Sequence, residues 1–506
     1  MRNQLVAGWV LVLAWTLGEN GAVAGDAWVL HSTAGLAEAT TPEATGTASL
    51  ELARNETESV QVVVQPAVTE KLTVRSSLDI PGLAMTCREI ADVQGYDDAL
   101  IARSTFSGRK GEPLKLWVSY ATTAECEPGA YRDTFVLEGG AEKFEVTVDL
   151  RVHPVTLPRT PSIPAVFGIQ DQMFTTAYRL PPGSRRSAMM ARWAELLLDY
   201  RISPYFFSWV GGSMQHEAYA SPWPLSDKRT MALLSDERFR RIAMPFYSLT
   251  EPQLSASVEL LRRHGLVDKV FYYLWDEPTR TEEYAKIRAA ADRIHAVAPE
   301  ADVLTTFYCG PENEGAKGDV YSVFPLWRGA TQIYSMSTWA LGGREENAAR
   351  CRAALQGDEE WWTYVCMAPG DPHPNVHLKM TGMQHRAVMW RAWKEGGTGF
   401  LYWAVNIFEP PQQRGERLRF REDVPPGDGL LVYPSELFGA SGPAASVRLE
   451  RWRDGFEDYE LLVQIEQEYG REAALKLLAE VYQNPDRFTQ SAEAVERFRQ
   501  QALKAL

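Results

Sequence analysis

Cysteine is scarce. The 506 residues hold five (Cys87, Cys126, Cys309, Cys351 and Cys366), too scattered for a zinc ribbon or a Cys-x-x-Cys redox motif. An odd count leaves at least one thiol unpaired; a Cys87–Cys126 bridge stays open, with buried free thiols the commoner state for such spacing. Positive charge is short as well. With 52 Lys and Arg against 66 Asp and Glu, the formal net charge of -14 removes a general basic surface for phosphate neutralisation and argues against a nucleic-acid partner. Neither a phosphate-cradling glycine loop nor a Gly-x-Ser-x-Gly elbow occurs, so nucleotide-binding and serine-hydrolase readings lack support. Long uncharged apolar runs are missing too. The longest, Leu5 to Leu17, falls short of the roughly 20 residues that span a bilayer, follows Arg2 and precedes Ala22-Val23-Ala24. That pattern predicts a signal peptide over residues 1–24, delivery to the periplasm or outside, and no membrane span in the mature chain. The sequon Asn55-Glu56-Thr57 matters only in a eukaryotic secretory pathway and carries no weight.

Aromatic residues are abundant, with 16 Trp and 20 Tyr, and they fall into two textures. Over residues 25–158 short alternating runs (Val60 to Val64, Lys115 to Tyr120, Tyr131 to Leu137, Phe144 to Val152) are separated by turns such as Glu127-Pro128-Gly129, which predicts an all-β sandwich. Pro154, Pro158, Pro161 and Pro164 mark a stiff boundary. Residues 159–445 alternate apolar strands with helical patterns. Eight strands are expected: Ala165 to Ile169, Pro204 to Ser208, Arg241 to Phe246, Val270 to Trp275, Val303 to Tyr308, Thr331 to Ser335, Trp361 to Cys366 and Gly399 to Trp403. That count predicts a (β/α)8 TIM-like barrel with a loop extension from Val405 to Ala445. Residues 446–506 read as helices packed on the barrel's outside, and the charged run Arg448, Glu450, Arg453, Asp454, Glu457, Asp458 as a solvated or interhelix salt-bridge face.

In such a barrel the chemistry projects from the C-terminal strand ends. The strongest candidate is Phe271-Tyr272-Tyr273-Leu274-Trp275-Asp276-Glu277-Pro278, an apolar strand ending in two carboxylates. Successive strand residues face opposite ways, so both acids enter one pocket only if extended geometry stops near Trp275 or Asp276. Pro278 favours that by biasing Glu277 away from the helical region. One acid held protonated beside one held ionised is what glycoside cleavage needs. Two-carboxylate glycosidases separate their acids by about 5 to 9.5 Å, a distance adjacent residues do not easily supply. A substrate-assisted route suits the pair better: the sugar's 2-acetamido oxygen attacks, Asp276 orients the acetamido N–H, and Glu277 serves as acid and then base. The bland alternative makes Asp276 a helix cap and Glu277 a surface ion-pair partner.

Four stretches carry a family likeness: Tyr273-Leu274-Trp275-Asp276-Glu277-Pro278, Trp361-Trp362-Thr363-Tyr364-Val365-Cys366, Gly399-Phe400-Leu401-Tyr402-Trp403-Ala404-Val405-Asn406, and the run from Arg448 to Tyr459. Through them the chain resembles glycoside hydrolase family 123, the β-N-acetylgalactosaminidases, over nearly all of its mature length. The resemblance implies a sandwich before the barrel and an Asp-Glu pair working by substrate assistance, hence these roles for Asp276 and Glu277.

The remaining strand ends carry aromatic and amide groups suited to a sugar, whose C–H faces pack on flat rings while its hydroxyls need a few polar partners. Tyr308, Tyr364, Trp403 and Asn406 lead, followed by Trp209, Trp339 and Gln170, with a Tyr hydroxyl to hold the forming oxazoline; Asp171, Tyr247 and Tyr402 share the setting. Trp361 and Trp362, being consecutive, must face opposite ways. The loop Asp371-Pro372-His373-Pro374-Asn375-Val376-His377 lacks the i, i+4 spacing of a zinc site and reads as a lid with Asn375 reaching substrate. Neither a metal nor a cofactor is expected. Two rivals stand beside an exo-acting, retaining β-N-acetylhexosaminidase: a glycosidase without acetamido chemistry, pairing Glu277 with Glu409 or Asp171, and a non-catalytic glycan-binding protein.

Overall fold

Alternation in the first part of the chain builds two facing sheets. The computed structural model describes residues 23–24, 26–35, 46–176, 178–210, 214–310, 319–409 and 418–506; residues 1–22 of the expected signal peptide lie outside them. One sheet of six strands is centred on the hairpin Gly129–Glu138 and Glu142–Thr156, and the other of five runs from Ala27–His31 through Thr57–Val64, Leu114–Thr122 and Leu83–Val93 to Tyr96–Ala102. Inward residues of both, among them Val60, Val62, Leu116, Val118, Phe135, Phe144, Val146 and Val148, form one core. All four runs read from the sequence are strands here, and no disulfide joins any two cysteines among the described residues.

The second part is a nearly closed nine-stranded sheet with helices outside it. Eight strands run parallel to their partners: Ala165–Gln170, Ser203–Trp209, Ile242–Ala243, Val270–Trp275, Asp302–Phe307, Ile333–Ser337, Glu360–Val365 and Gly399–Tyr402. The ninth, His216–Tyr219, is antiparallel to Ser203–Trp209 and was not expected. Among the described residues no ladder joins Ser203–Trp209 to Ile242–Ala243; the ninth strand stands in that gap, bridging Gln215 to Trp275. Each of the nine strands sends at least one side chain to a single interior cluster that includes Val166, Tyr205, Ala218, Ala243, Tyr273 and Tyr364. Trp362 belongs to that interior and Trp361 to the layer between sheet and helices, as their alternation requires. The strand expected at Thr331 to Ser335 begins two residues later.

The helix Val447–Tyr469 overturns the solvated reading of its charged run and bears out the interhelix salt-bridge one, since Asp454 and Asp458 pair with Arg386 and Asp458 with Arg499 from two other helices. Arg448, Glu450, Arg453, Asp454, Glu457 and Asp458 are all buried. Trp452 and Phe456 pack on Phe167 of the barrel sheet, while Glu450 meets Arg88 and Trp117, and Arg448 meets Asp98, all from the sandwich. The helix therefore joins the two parts of the molecule rather than lying on the outside of one.

Candidate active site

Local backbone geometry turns both acids of the Asp276-Glu277 pair the same way. Phe271 and Tyr273 face the interior and Tyr272 and Leu274 the helices. A register shift between Tyr273 and Trp275 then sends Trp275 outward as well, which brings Asp276 inward. The Tyr247 hydroxyl donates to Leu274 O at 2.9 Å within this irregularity, and the Asp276 N–H donates to Met214 O at 2.9 Å. Glu277 has φ 45°, a left-handed conformation that costs a non-glycine residue about 1–2 kcal/mol. Extended geometry stops where the sequence required, through a left-handed residue before Pro278. The Glu277 N–H is fixed by Thr306 Oγ1 at 2.8 Å.

The two carboxyls have different company. Asp276 Oδ1 accepts from the Tyr273 hydroxyl at 2.6 Å and from Thr306 Oγ1 at 3.0 Å. Burial raises its pKa, and these two hydroxyls oppose the rise by stabilising the ionised form. Glu277 is pushed up to about 8 by burial and by the Asp276 charge, against one hydrogen bond donated by Tyr364 to Oε1. Burial and the Asp276 charge thus favour the protonated form of Glu277, while the two hydroxyl donors favour the ionised form of Asp276.

Around the pair the expected lining residues divide. Tyr364 is inside, but its hydroxyl serves Glu277. Trp403 is half-buried with its indole N–H donated to Asp428 Oδ1 at 3.2 Å. Trp209, at 37 % exposure, stands edge-on to His216 with centroids 4.8 Å apart, a ring open to a ligand. Tyr308 sits half-buried one residue past its strand, and Trp339 lies half-buried two residues past Ser337. Asn406 is a correction: fully buried, its amide clamps the Gln170 backbone at 2.8 and 3.0 Å, leaving the half-buried Gln170 side chain at the strand end. Asn375 is another, because it is buried and donates to Cys366 O and Pro369 O, both at 2.9 Å. Asp171 is engaged by the Tyr219 hydroxyl at 3.0 Å and by Arg186 at 3.6 Å. Glu409 is half-buried and pairs through its backbone with Arg419. Asp371, His373 and His377 make three separate contacts, with Gln384, Asp486 and Cys366 O.

Residues 202–465 match the family model described as glycoside hydrolase 123, catalytic domain. The chain belongs to glycoside hydrolase family 123. No curated protein matches it. Among solved structures, a family 123 glycoside hydrolase from Clostridium perfringens, studied for glycolipid glycan hydrolysis, aligns with TM-score 0.67 at 11% identity over 95% of this chain and 97% of that one. At that identity the likeness is one of fold. A GH2 β-galacturonidase from Eisenbergiella tayi aligns at TM-score 0.34 and 10% identity, over 79% of this chain and 69% of that one, a likeness too slight to argue from.

Five residues of this family 123 site have no role in the sequence reading. Tyr273 was legible, since it lies three residues before Asp276 on the inward face. Thr306 was not, because only the register of the neighbouring strand brings it to Asp276. Asp428, in the loop after the last strand, accepts from the Tyr402 hydroxyl at 3.0 Å as well as from Trp403, and burial raises it to about 6. Gly429, at φ 72°, lets that loop lie against the indole, where a Cβ would come within 2.4 Å of the Trp403 ring. His216 stacks on Tyr273 with centroids 4.1 Å apart; burial lowers its pKa to about 3, so it packs as a neutral ring.

Proposed function

We propose that this family 123 glycoside hydrolase is an exo-acting, retaining β-N-acetylhexosaminidase, galactosamine-preferring, that works by substrate assistance. The observation that carries the reading is the unequal environment of two adjacent inward carboxyls: Asp276 receives two hydroxyl donors and Glu277 one, with burial and the Asp276 charge favouring the protonated form of Glu277. Glu277 donates that proton to the glycosidic oxygen as the C1–O bond breaks. The acetamido oxygen attacks C1 to give an oxazolinium ion, and Asp276, held by Tyr273 and Thr306, accepts the acetamido N–H. Ionised Glu277 then takes a proton from water, which attacks C1 and reopens the ring. Two inversions leave the anomeric configuration unchanged.

A two-carboxylate route asks for a second acid about 5 to 9.5 Å from Glu277 with Asp276 turned away, whereas Asp276 faces the interior beside it. We read the nine-stranded sheet as a (β/α)8 barrel whose ring is completed by the His216–Tyr219 strand, with a sandwich domain over residues 25–158 and a helical segment from 446. We also read the chain as secreted or periplasmic, on the strength of its N-terminal pattern. The test is hydrolysis of aryl β-N-acetylgalactosaminide by wild type, Glu277→Gln and Asp276→Asn. Turnover should fall by about 10²- to 10⁴-fold in each variant, and a thiazoline analogue should inhibit. Full activity in either variant, or hydrolysis of aryl glycosides lacking the acetamido group at equal rate, contradicts the reading; saturable sugar binding without any hydrolysis would make the protein a lectin.

A further inference from the structure

The antiparallel strand His216–Tyr219 does more than stand in a gap of the sheet. Its alternation sends His216 and Ala218 into the interior and Glu217 to the outer side. There the buried Glu217 carboxylate accepts three successive backbone N–H groups, from Phe246 at 3.0 Å and Tyr247 at 2.8 Å on Oε2 and from Ser248 at 2.9 Å on Oε1. Three donors from one turn fix that turn's path. The turn closes through the Leu249 N–H to Phe246 O at 3.2 Å, and it carries Tyr247. Burial and the Glu217 charge raise the Tyr247 pKa, so the phenol keeps its proton and donates it to Leu274 O at 2.9 Å. Leu274 is the residue skipped when the pairing with Asp302–Phe307 shifts between Tyr273 and Trp275. A skipped carbonyl needs a donor from elsewhere, and Tyr247 supplies it.

The same segment grips the next two residues directly. Gln215 bridges to Trp275, and Met214 O accepts the Asp276 N–H at 2.9 Å. Leu274, Trp275 and Asp276 are thus held in turn from residues 214–217, the first of them at one remove. We infer that Glu217 is a positioning residue for the catalytic pair, holding through the Tyr247 hydroxyl the irregular strand end that turns Asp276 inward beside Glu277. A regular strand end would carry Trp275 inward and Asp276 outward. The inference rests on the proposed glycosidase reading for the roles of the two acids and is indifferent to the sugar they act on.

The test uses Tyr247→Phe and Glu217→Gln, alone and together. Tyr247→Phe loses only a hydroxyl, so it tests the brace even where Glu217→Gln does not fold. It should lower kcat on aryl β-N-acetylgalactosaminide about ten- to fiftyfold with KM within about twofold, because a displaced reacting group costs turnover more than binding. A relaxed strand end also lets the carboxyls part. Since the Asp276 charge helps to raise Glu277, the alkaline limb of kcat/KM should then move to lower pH by about half a unit. If Glu217 acts through Tyr247, adding Glu217→Gln to Tyr247→Phe should cost less than about twofold more. Losses that multiply, wild-type turnover in Tyr247→Phe, or a loss of activity with the alkaline limb unmoved overturn the inference. Amide exchange over Val270 to Arg280 reads the brace without substrate, and should quicken about tenfold in Tyr247→Phe while the sandwich exchanges as in wild type. Unchanged exchange there overturns the inference even if the enzyme cleaves as proposed; quickened exchange supports it even if wild type proves inactive on that glycoside.

Discussion

Carboxylates are buried in two places in this molecule and are treated oppositely. At the barrel mouth, Asp276 and Glu277 meet, among the described residues, hydroxyl donors from Tyr273, Thr306 and Tyr364. Between the sandwich and the helix Val447–Tyr469, carboxylates are interleaved with arginines: Arg386 contacts Glu58, Asp454 and Asp458, and Arg499 contacts Glu56, Glu58 and Asp458. Burial disfavours the charged form in both regions. In the second, guanidinium groups outweigh it at Glu450, held down at about 2 by Arg453 and Arg88, and at Asp458, held low by Arg386 and Arg499. Where the arginines fall short the carboxyl rises, as at Asp454, which burial and Glu58 push to about 7. Matched charge fastens two domains together. Unmatched charge raises the pKa of Glu277 at the strand end.

The largest expected effect is on turnover. Removing the acid with Glu277→Gln should abolish most hydrolysis, by about 10²- to 10⁴-fold, while leaving the folded state intact by circular dichroism; a loss of folding in step with activity would erase the distinction between the regions. In the paired region the reverse is expected. Arg386→Met leaves Glu58, Asp454 and Asp458 without that cation and should cost about 3–5 kcal/mol in urea unfolding, and a loss below about 1 kcal/mol would mean the network holds little together.

Glu450 and Glu277 should also respond to pH with opposite sign. Glu450 titrates below its unfolded value of about 4.3, so its contribution is complete above that pH and is lost as pH falls towards 2. Glu450→Gln should therefore lower Tm at pH 7 and much less at pH 3. Glu277 titrates above its unfolded value, so its ionisation weakens the fold as pH climbs from about 4.3 to 8. Glu277→Gln, fixed in the neutral form, should gain about 0.5–2 kcal/mol at pH 8.5 and little at pH 4; equal Tm shifts at both values would contradict the assignment. The smallest effect concerns Tyr364, whose hydrogen bond lowers the Glu277 pKa. In Tyr364→Phe the alkaline limb of kcat/KM should move to higher pH by a fraction of a unit, and a downward move would mean the hydroxyl acts on the substrate instead.

Much of the molecule was readable in advance where period decided it. Alternation over residues 25–158 and eight apolar runs after Pro164 marked the strands, and the acids at the end of Val270–Trp275 marked the site. What escaped reading depends on register and on contacts distant in sequence. The antiparallel strand His216–Tyr219 is four residues long, too short to announce itself by pattern. Thr306 reaches Asp276 only through the strand pairing. Arg448 to Asp458 carries the composition of a solvated helix face as much as of a salt-bridged one, and its partners Arg88, Asp98 and Arg499 lie hundreds of residues away or in another helix. Asn375 and Asn406, polar residues near strand ends, were expected to face a ligand and instead satisfy buried backbone groups, a demand invisible without the loop's path.

One measurement bears most directly on the claim that the sugar provides its own nucleophile: turnover of aryl β-N-acetylgalactosaminides whose acetamido methyl is fluorinated stepwise. Each fluorine withdraws electrons from the carbonyl oxygen, so the account predicts a steep, monotonic fall in kcat from the methyl to the trifluoromethyl compound. A flat series would contradict it, since an enzymic carboxylate attacking C1 would feel no such loss.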